Sequence, residues 1–166
     1  MPPAAVAVLV TLIAFVAGLT APDLDLRLWL GHRSGLTHSI LPALLLLVRR
    51  RWRPAACGTA AGTGLHLAAD SFPKRMIGYA TVKLPGVCAL SAGESYAWLA
   101  INAFAALMLA GWLARRLHAR AAATLLAAAF LIGGVGYLWR TDGGWPVLAI
   151  VVAGGGAAYW WRRRPA

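Results

Sequence analysis

The chain has 166 residues, of which 60% are hydrophobic and only 13% charged, and its formal net charge is +11. A soluble domain is nearer half apolar and about a quarter charged, so this composition disfavours a soluble globular protein. So large a positive charge would suggest nucleic-acid binding in a soluble protein. Here the arginines cluster at the ends of long apolar runs, so we expect no nucleic-acid partner and predict an all-α polytopic membrane protein.

Six apolar runs predict six transmembrane helices in a single membrane domain over residues 1–166, with spans one to three and an outer loop in 1–95 and the rest in 96–166. The first run lacks a basic leader, so we predict a retained span and not a cleaved signal. The second and third are short for a bilayer that needs about 20 apolar residues, and are expected to be partly inserted or to border a water-filled recess. The predicted spans are Ala4–Thr20, Ser34–Val48, Pro54–Ala69, Tyr96–Leu113, Ala121–Leu138 and Trp145–Trp161.

The distribution of charge predicts the orientation of these spans, because basic loops stay in the cytoplasm. The side opposite these basic loops holds all five acidic residues of the chain and six basic residues. Both termini are therefore predicted to be cytoplasmic, in a cell inner (plasma) membrane. The same topology separates Cys57 from Cys88, which argues against a disulfide. The ten cytoplasmic arginines are Arg49, Arg50, Arg51, Arg53, Arg115, Arg116, Arg120, Arg162, Arg163 and Arg164.

The third span is weakly apolar and is expected to lie at the centre of the bundle. Gly58 and Gly62 form a GxxxG motif, which predicts close packing against another helix. The span also carries His66 and Asp70, whose spacing of four residues places them on one helix face. They could share a metal ion, Asp70 could orient the imidazole, or the two could form a hydrogen-bonded pair between helices.

A second polar segment lies between the first two spans. Asp23 and Asp25 point to the same side if the chain is extended, whereas Asp23 is an N-cap if a short helix begins there. His32 and His38 would not share a face of one continuous helix. Because glycines flank His32, we expect it in a loop and His38 on the opening turn of span two, so that both could face one pocket.

Under this topology imidazoles and carboxylates gather at the outer ends of spans one to three. Ionisable groups near membrane depth are costly and usually functional, and this ligand set suits Zn²⁺, Mn²⁺ or Fe²⁺. A catalytic zinc site uses three such ligands, so the six candidates could serve one metal and a general base, or two metals. The predicted metal residues are Asp23, Asp25, His32, His38, His66 and Asp70.

Several cations accompany these residues on the outer side. Arg33 lies between candidate ligands and could bind a phosphate through its guanidinium. The predicted catalytic residues are Asp25, His38 and Arg33. The sequence contains no GxSxG, P-loop or HExxH motif. The other cations in the same outer loops, which we expect to contact lipid headgroups, are Arg27, Lys74, Arg75 and Lys83.

The order of these motifs resembles the YdjM-type family of membrane-bound metal-dependent hydrolases over about the first 90 residues. The matching stretches are Pro-Asp-x-Asp at 22–25, a His-Arg segment that ends in Thr-His-Ser at 32–39, and His-x-x-x-Asp at 66–70. Gly78 and Pro85 correspond to the Gly and Pro that follow in the family. The resemblance implies a metal site made of the same six residues.

These observations favour a metal-dependent hydrolase, with zinc as the first choice of metal, that acts at the outer membrane–water boundary. The nearby cations suggest a lipid phosphoester as substrate. A transporter or metal-handling protein is an alternative, although its ligands would be expected near the membrane midplane. A non-catalytic membrane scaffold, with the polar cluster holding helices together, is the third.

Overall fold

A computed structural model describes residues 3–86, 88–117 and 119–162, apart from the side chains of residues 158 and 162. The predicted all-α fold is confirmed over these residues, where extended pairing is limited to isolated bridges at Lys83. Arg163 and Arg164 of the predicted cytoplasmic tail lie outside the described residues. The helices are α1 (Ala4–Gly18), α2 (Leu41–Leu47), α3 (Arg53–Asp70), α4 (Ala92–Leu117), α5 (Arg120–Arg140) and α6 (Gly144–Arg162), and 3-10 turns cover Pro22–Asp25, Arg50–Trp52 and Gly78–Ala80.

Five of the predicted spans coincide with a helix, but the second does not. The prediction of a span over Ser34–Val48 is wrong as a continuous helix, because α2 begins only at Leu41. The preceding residues form turns, and the Gly35 amide donates to the carbonyl of Lys83 at 2.8 Å. Pro42 favours a helix start because its ring fixes φ and removes an N–H that a first turn does not need.

Helix α3 lies at the centre of the fold, as its weakly apolar sequence predicts. Most of its residues are buried, and α1, α2 and α4 all pack against it. The predicted close-packing face is confirmed, because a Cβ at Gly62 would lie 2.7 Å from the carbonyl carbon of Gly18 in α1. At Gly58 a Cβ would overlap the backbone of Thr11 and Phe15. The two glycines therefore let the α1 and α3 backbones touch.

Contacts at the helix ends show that successive helices run in alternating directions. Leu46 and Leu47 of α2 pack with Cys57 of α3 and Leu113 of α4. We call this the basic end, since it carries Arg49, Arg50, Arg51, Arg53, Arg115, Arg116 and, across a short connection, Arg120.

At the opposite end, the site end, α3 finishes beside the ends of the other helices. The Tyr137 hydroxyl of α5 contacts His66, and Ala69 packs with Val147 of α6. The Ser95 hydroxyl of α4 accepts a hydrogen bond from the loop that covers the end of α3.

Two of the helices, α4 and α5, are long and apolar enough to cross a membrane, and α1 is a shorter apolar helix of 15 residues. Both cysteines are free, Cys57 buried and Cys88 exposed.

Candidate metal centre

Three segments bring the predicted site residues together at the site end. Helix α3 supplies His66 and Asp70 from its last turns. The 3-10 turn Pro22–Asp25 supplies both remaining aspartates. A proline early in this turn favours its start, and the chain then reverses through Gly31, whose φ is +79°. The reversal returns the next loop to the end of α3, where it delivers the other two histidines.

Arg33 holds that loop in place although its own backbone is strained. Its φ of +57° lies in the left-handed region, which is uncommon for residues other than glycine. Its carbonyl accepts a hydrogen bond from the Lys83 amide at 3.0 Å. Its guanidinium donates to the Ala80 carbonyl at 2.7 Å and to Asp70 Oδ1 at 3.0 Å. The arginine therefore joins the loop, the covering segment and α3 in a single arrangement.

The imidazoles and carboxylates converge on one point. Oδ2 of Asp70 lies 3.3 Å from His38 Nε2 and 3.6 Å from His66 Nε2. Asp23 contributes an oxygen 3.7 Å from the same nitrogen of His66. These separations suit a common ion, because ligands about 2.0 Å from a tetrahedral centre are about 3.3 Å apart. Asp23, His38 and His66, whose ligand atoms all lie within 4.8 Å of one another, could hold a metal ion.

Nδ1 of His38 and Nδ1 of His66 each contact an oxygen atom of the protein. Nδ1 of His38 is 3.3 Å from Asp25 Oδ2 and 3.2 Å from the Thr37 hydroxyl. The Leu19 carbonyl lies 2.9 Å from Nδ1 of His66. Since a carboxylate and a carbonyl can only accept, these contacts suit the neutral tautomer with its proton on Nδ1. In that tautomer both Nε2 lone pairs face the common point, which is the arrangement of metal-bound histidines.

The buried polar atoms at this point have no hydrogen-bond partner among the described residues. They include Nε2 of His38, Nε2 of His66 and Oδ2 of Asp70. Lone pairs and carboxylate charge that face one another without a donor are costly in a buried site. A bound cation would satisfy all three atoms, so the donor set fits a divalent transition metal, while leaving its identity open.

Asp25 and His32 lie beside the convergence point and not in it. Asp25 is fully buried and also accepts a hydrogen bond from the Ser34 amide at 3.1 Å, so it orients His38. His32 stacks on Tyr79 with ring centroids 4.0 Å apart, and its centroid is 6.1 Å from that of His38. Burial lowers the pKa of the His32 imidazole below its usual value, although the charge of Asp25 opposes this effect.

An open cavity of about 640 Å³ leads to the site. Its walls combine the carboxylate and imidazole side with a cationic rim and aromatic rings, which could accommodate an anionic group of moderate size. The lining includes Asp23, His32, His66, Asp70, Lys74, Arg75, Tyr79 and Tyr137.

Tyr137 is a site residue that the sequence analysis missed. Its hydroxyl lies 2.9 Å from His66 Nδ1, and it comes from α5, whereas all the predicted site residues lie in the first 70 residues. The available signal was a tyrosine four residues before Thr141 at the outer end of an apolar run.

No protein-family model, curated protein or solved structure matches this chain.

Proposed function

We propose that the chain is a multi-pass membrane protein and a metal-dependent hydrolase, with its site at the non-cytoplasmic face. The observation that carries this proposal is the convergence of two imidazole Nε2 atoms and a carboxylate oxygen, all buried and without a hydrogen-bond partner in the part of the chain that the structure describes. The resemblance to the YdjM-type family is part of the same proposal.

The surface of the helices supports a position within the bilayer. Only 28% of the apolar window of α4 and 17% of that of α5 is buried, whereas the core helix of a soluble protein would be mostly buried. Large apolar side chains face outward on four helices, which suits lipid and not water. Examples are Leu9, Ile13 and Val16 of α1, Ile101, Phe104 and Met108 of α4, Leu131 and Ile132 of α5, and Ile150 and Val152 of α6.

The alternating helix directions support six passes although α2 has only seven residues. His38 contacts the last turns of α3, and the chain returns to the first turn of α3 at Arg53. Residues 39–52 therefore cover nearly the length of α3, which is about 27 Å for 18 residues. With seven arginines at one end and the acidic residues at the other, we place the basic end in the cytoplasm.

The chemistry follows from the positions of the side chains. A bound divalent ion would supply Lewis acidity and a more acidic water. His38 and His66 would hold it through Nε2, with Asp70 and Asp23 as the carboxylate ligands. Asp25 keeps His38 in the correct tautomer, and His32 is close enough, in the cavity wall, to accept or return a proton.

A phosphoester of a membrane lipid is the substrate that the cavity favours. Arg33 lies at the metal centre, while Lys74 and Arg75 line the cavity rim and are exposed. Guanidinium and ammonium groups bind phosphate oxygens. The position of the cavity at the site end puts it beside lipid headgroups in the proposed orientation.

The test uses purified full-length protein in phospholipid vesicles, with and without Zn²⁺ or Mn²⁺, and measures release of phosphorylated headgroup. We expect metal-dependent turnover in wild type, loss of at least about a hundredfold in His38→Ala, and retention in Glu94→Gln, an exposed carboxylate that bonds Ser91 away from the cavity. If His38→Ala unfolds and wild type shows no turnover, the cluster is structural and the protein is a scaffold. Stoichiometric metal without turnover on any phosphoester would favour metal handling.

A further inference from the structure

One exposed loop at the site end has the composition of a membrane-interface segment and is not explained by the metal centre. We call residues 24–30 the interfacial loop. Trp29 at its tip is 95% exposed, and every residue of the loop is exposed except Asp25, which is buried. The exposed apolar members are Leu24, Leu26, Leu28, Trp29 and Leu30.

The backbone of the interfacial loop has a defined shape. The Leu28 amide donates to the Leu24 carbonyl at 2.9 Å, and the Leu30 amide donates to the Asp25 carbonyl at 3.0 Å. Trp29 has a φ of +56°, in the left-handed region that side chains seldom adopt. An indole and four leucines exposed side by side form an apolar surface of the kind that marks a contact with a membrane or a partner.

The charges around the interfacial loop indicate which environment it meets. Its outward face carries one charged residue, Arg27, while Asp25 is buried against His38 and Asp23 lines the cavity. Leucines beside tryptophan and a single cation match the headgroup–acyl boundary, where indole is favoured and arginine reaches phosphate. Trp and Arg are also enriched at protein interfaces, so the position of the loop at the end of an apolar helix bundle is what favours lipid over a protein partner.

We propose that the interfacial loop inserts into the headgroup region of the leaflet at the site end and seats the cavity against lipid. The inference rests on the proposed membrane function and extends it, since it assigns the source of the substrate. The loop connects Asp25 to His32, so its insertion fixes the cavity at headgroup depth. The substrate is then a lipid headgroup and not a free phosphoester.

The experiment measures the depth of Trp29 in metal-loaded protein reconstituted into phosphatidylcholine vesicles with bromines at shallow or deep acyl positions. The Trp29 signal is the difference in emission between wild type and Trp29→Phe. We expect this signal to be quenched more by shallow than by deep bromines and to be protected from aqueous iodide. A signal that iodide quenches and bromines leave unchanged would overturn the proposal.

A paired activity measurement separates this inference from the proposed function. Trp29→Asp should lower turnover of bilayer lipid about tenfold, since a charge weakens interfacial insertion. Its metal content and its turnover of a short-chain, water-soluble phosphoester should not change, and Trp29→Leu should restore lipid turnover. Equal loss on both substrates would contradict the loop's role, whereas absence of all turnover in wild type would contradict the hydrolase and leave the quenching result to decide the loop.

Discussion

His38 and His66 reach the same arrangement by different means. A carboxylate holds Nδ1 of His38, whereas a main-chain carbonyl holds Nδ1 of His66. In each case the acceptor suits the tautomer with its proton on Nδ1, which leaves Nε2 as a ligand. Asp70 adds a carboxylate oxygen between them, with its other oxygen paired to Arg33. The chemistry of the site therefore depends on groups that would not themselves touch a metal.

Asp25→Asn tests this dependence at the level of one oriented imidazole. The amide keeps the shape of the carboxylate but loses its charge, so His38 becomes a less basic and less firmly oriented ligand. We expect metal affinity to fall about 10–100-fold, as measured by competition with a chelating dye. Asp142→Asn removes a carboxylate that is 91% exposed and pairs only weakly with Lys74, and it should leave the affinity unchanged. Equal affinity in wild type and Asp25→Asn would contradict the orienting role.

The sequence predicted the members of the site better than their roles. The spacing of His66 and Asp70 on one helix face was sufficient to place them together, because helix geometry fixes it. The role of Asp25 depends on the rotation of a short 3-10 turn, which no periodic pattern records. Tyr137 is about 70 residues from His66 in the chain, so its contribution depends on how α5 packs and could not be derived locally.

At the scale of elements, α3 links packing to the site. Its glycines bring α1 close enough for the Leu19 carbonyl, just beyond the end of α1, to reach His66. The GxxxG motif predicted close packing against another helix, since small residues allow helix backbones to meet, but it did not predict the contact between Leu19 and His66. The short α2 was not predicted, because the apolar run at 34–48 continues through residues that form loop hydrogen bonds to Lys83. An apolar run indicates that its residues are buried or contact lipid, but it does not show whether they form a helix or turns.

Gly62→Ala should uncouple α1 from α3. The added methyl would lie 2.7 Å from the Leu19 amide nitrogen, so the α1 end must move and its carbonyl must leave His66. We expect a loss of about 1–3 kcal/mol in unfolding free energy and weaker metal binding, measured by thermal unfolding in detergent with and without metal. Gly111→Ala, where a Cβ has nothing within 4 Å, should be neutral or stabilising. Identical behaviour of the two variants would contradict the coupling.

At the scale of the whole molecule, the distribution of charged residues agrees with the alternating directions of the helices. The alternating helices bring seven arginines to one end, where Arg49 and Arg51 stack on Trp52 and Arg116 on Trp112. All the acidic residues lie at or near the other end. The sequence predicted this separation because the positive-inside rule needs only the order of the spans. It could not predict the cavity, whose walls come from both halves of the chain.

Labelling with a membrane-impermeant maleimide tests the proposed orientation. Cys88 is exposed in the loop at the site end, where its carbonyl accepts a hydrogen bond from Leu84. Cys88 should be labelled in intact cells from which any outer barrier has been removed. In an Arg51→Cys, Cys88→Ala variant the new thiol at the basic end should react only after permeabilisation. The reverse pattern would invert the topology and place the site in the cytoplasm.

X-ray absorption of zinc-loaded protein measures most directly whether His38 and His66 converge on one ion. We predict one zinc per chain, with nitrogen and oxygen ligands at about 2.0–2.1 Å and outer-shell scattering from two imidazoles. Scattering from one imidazole should remain in His66→Ala. A wild-type protein that holds no stoichiometric metal after supplementation, or a zinc spectrum without imidazole scattering, would contradict the account.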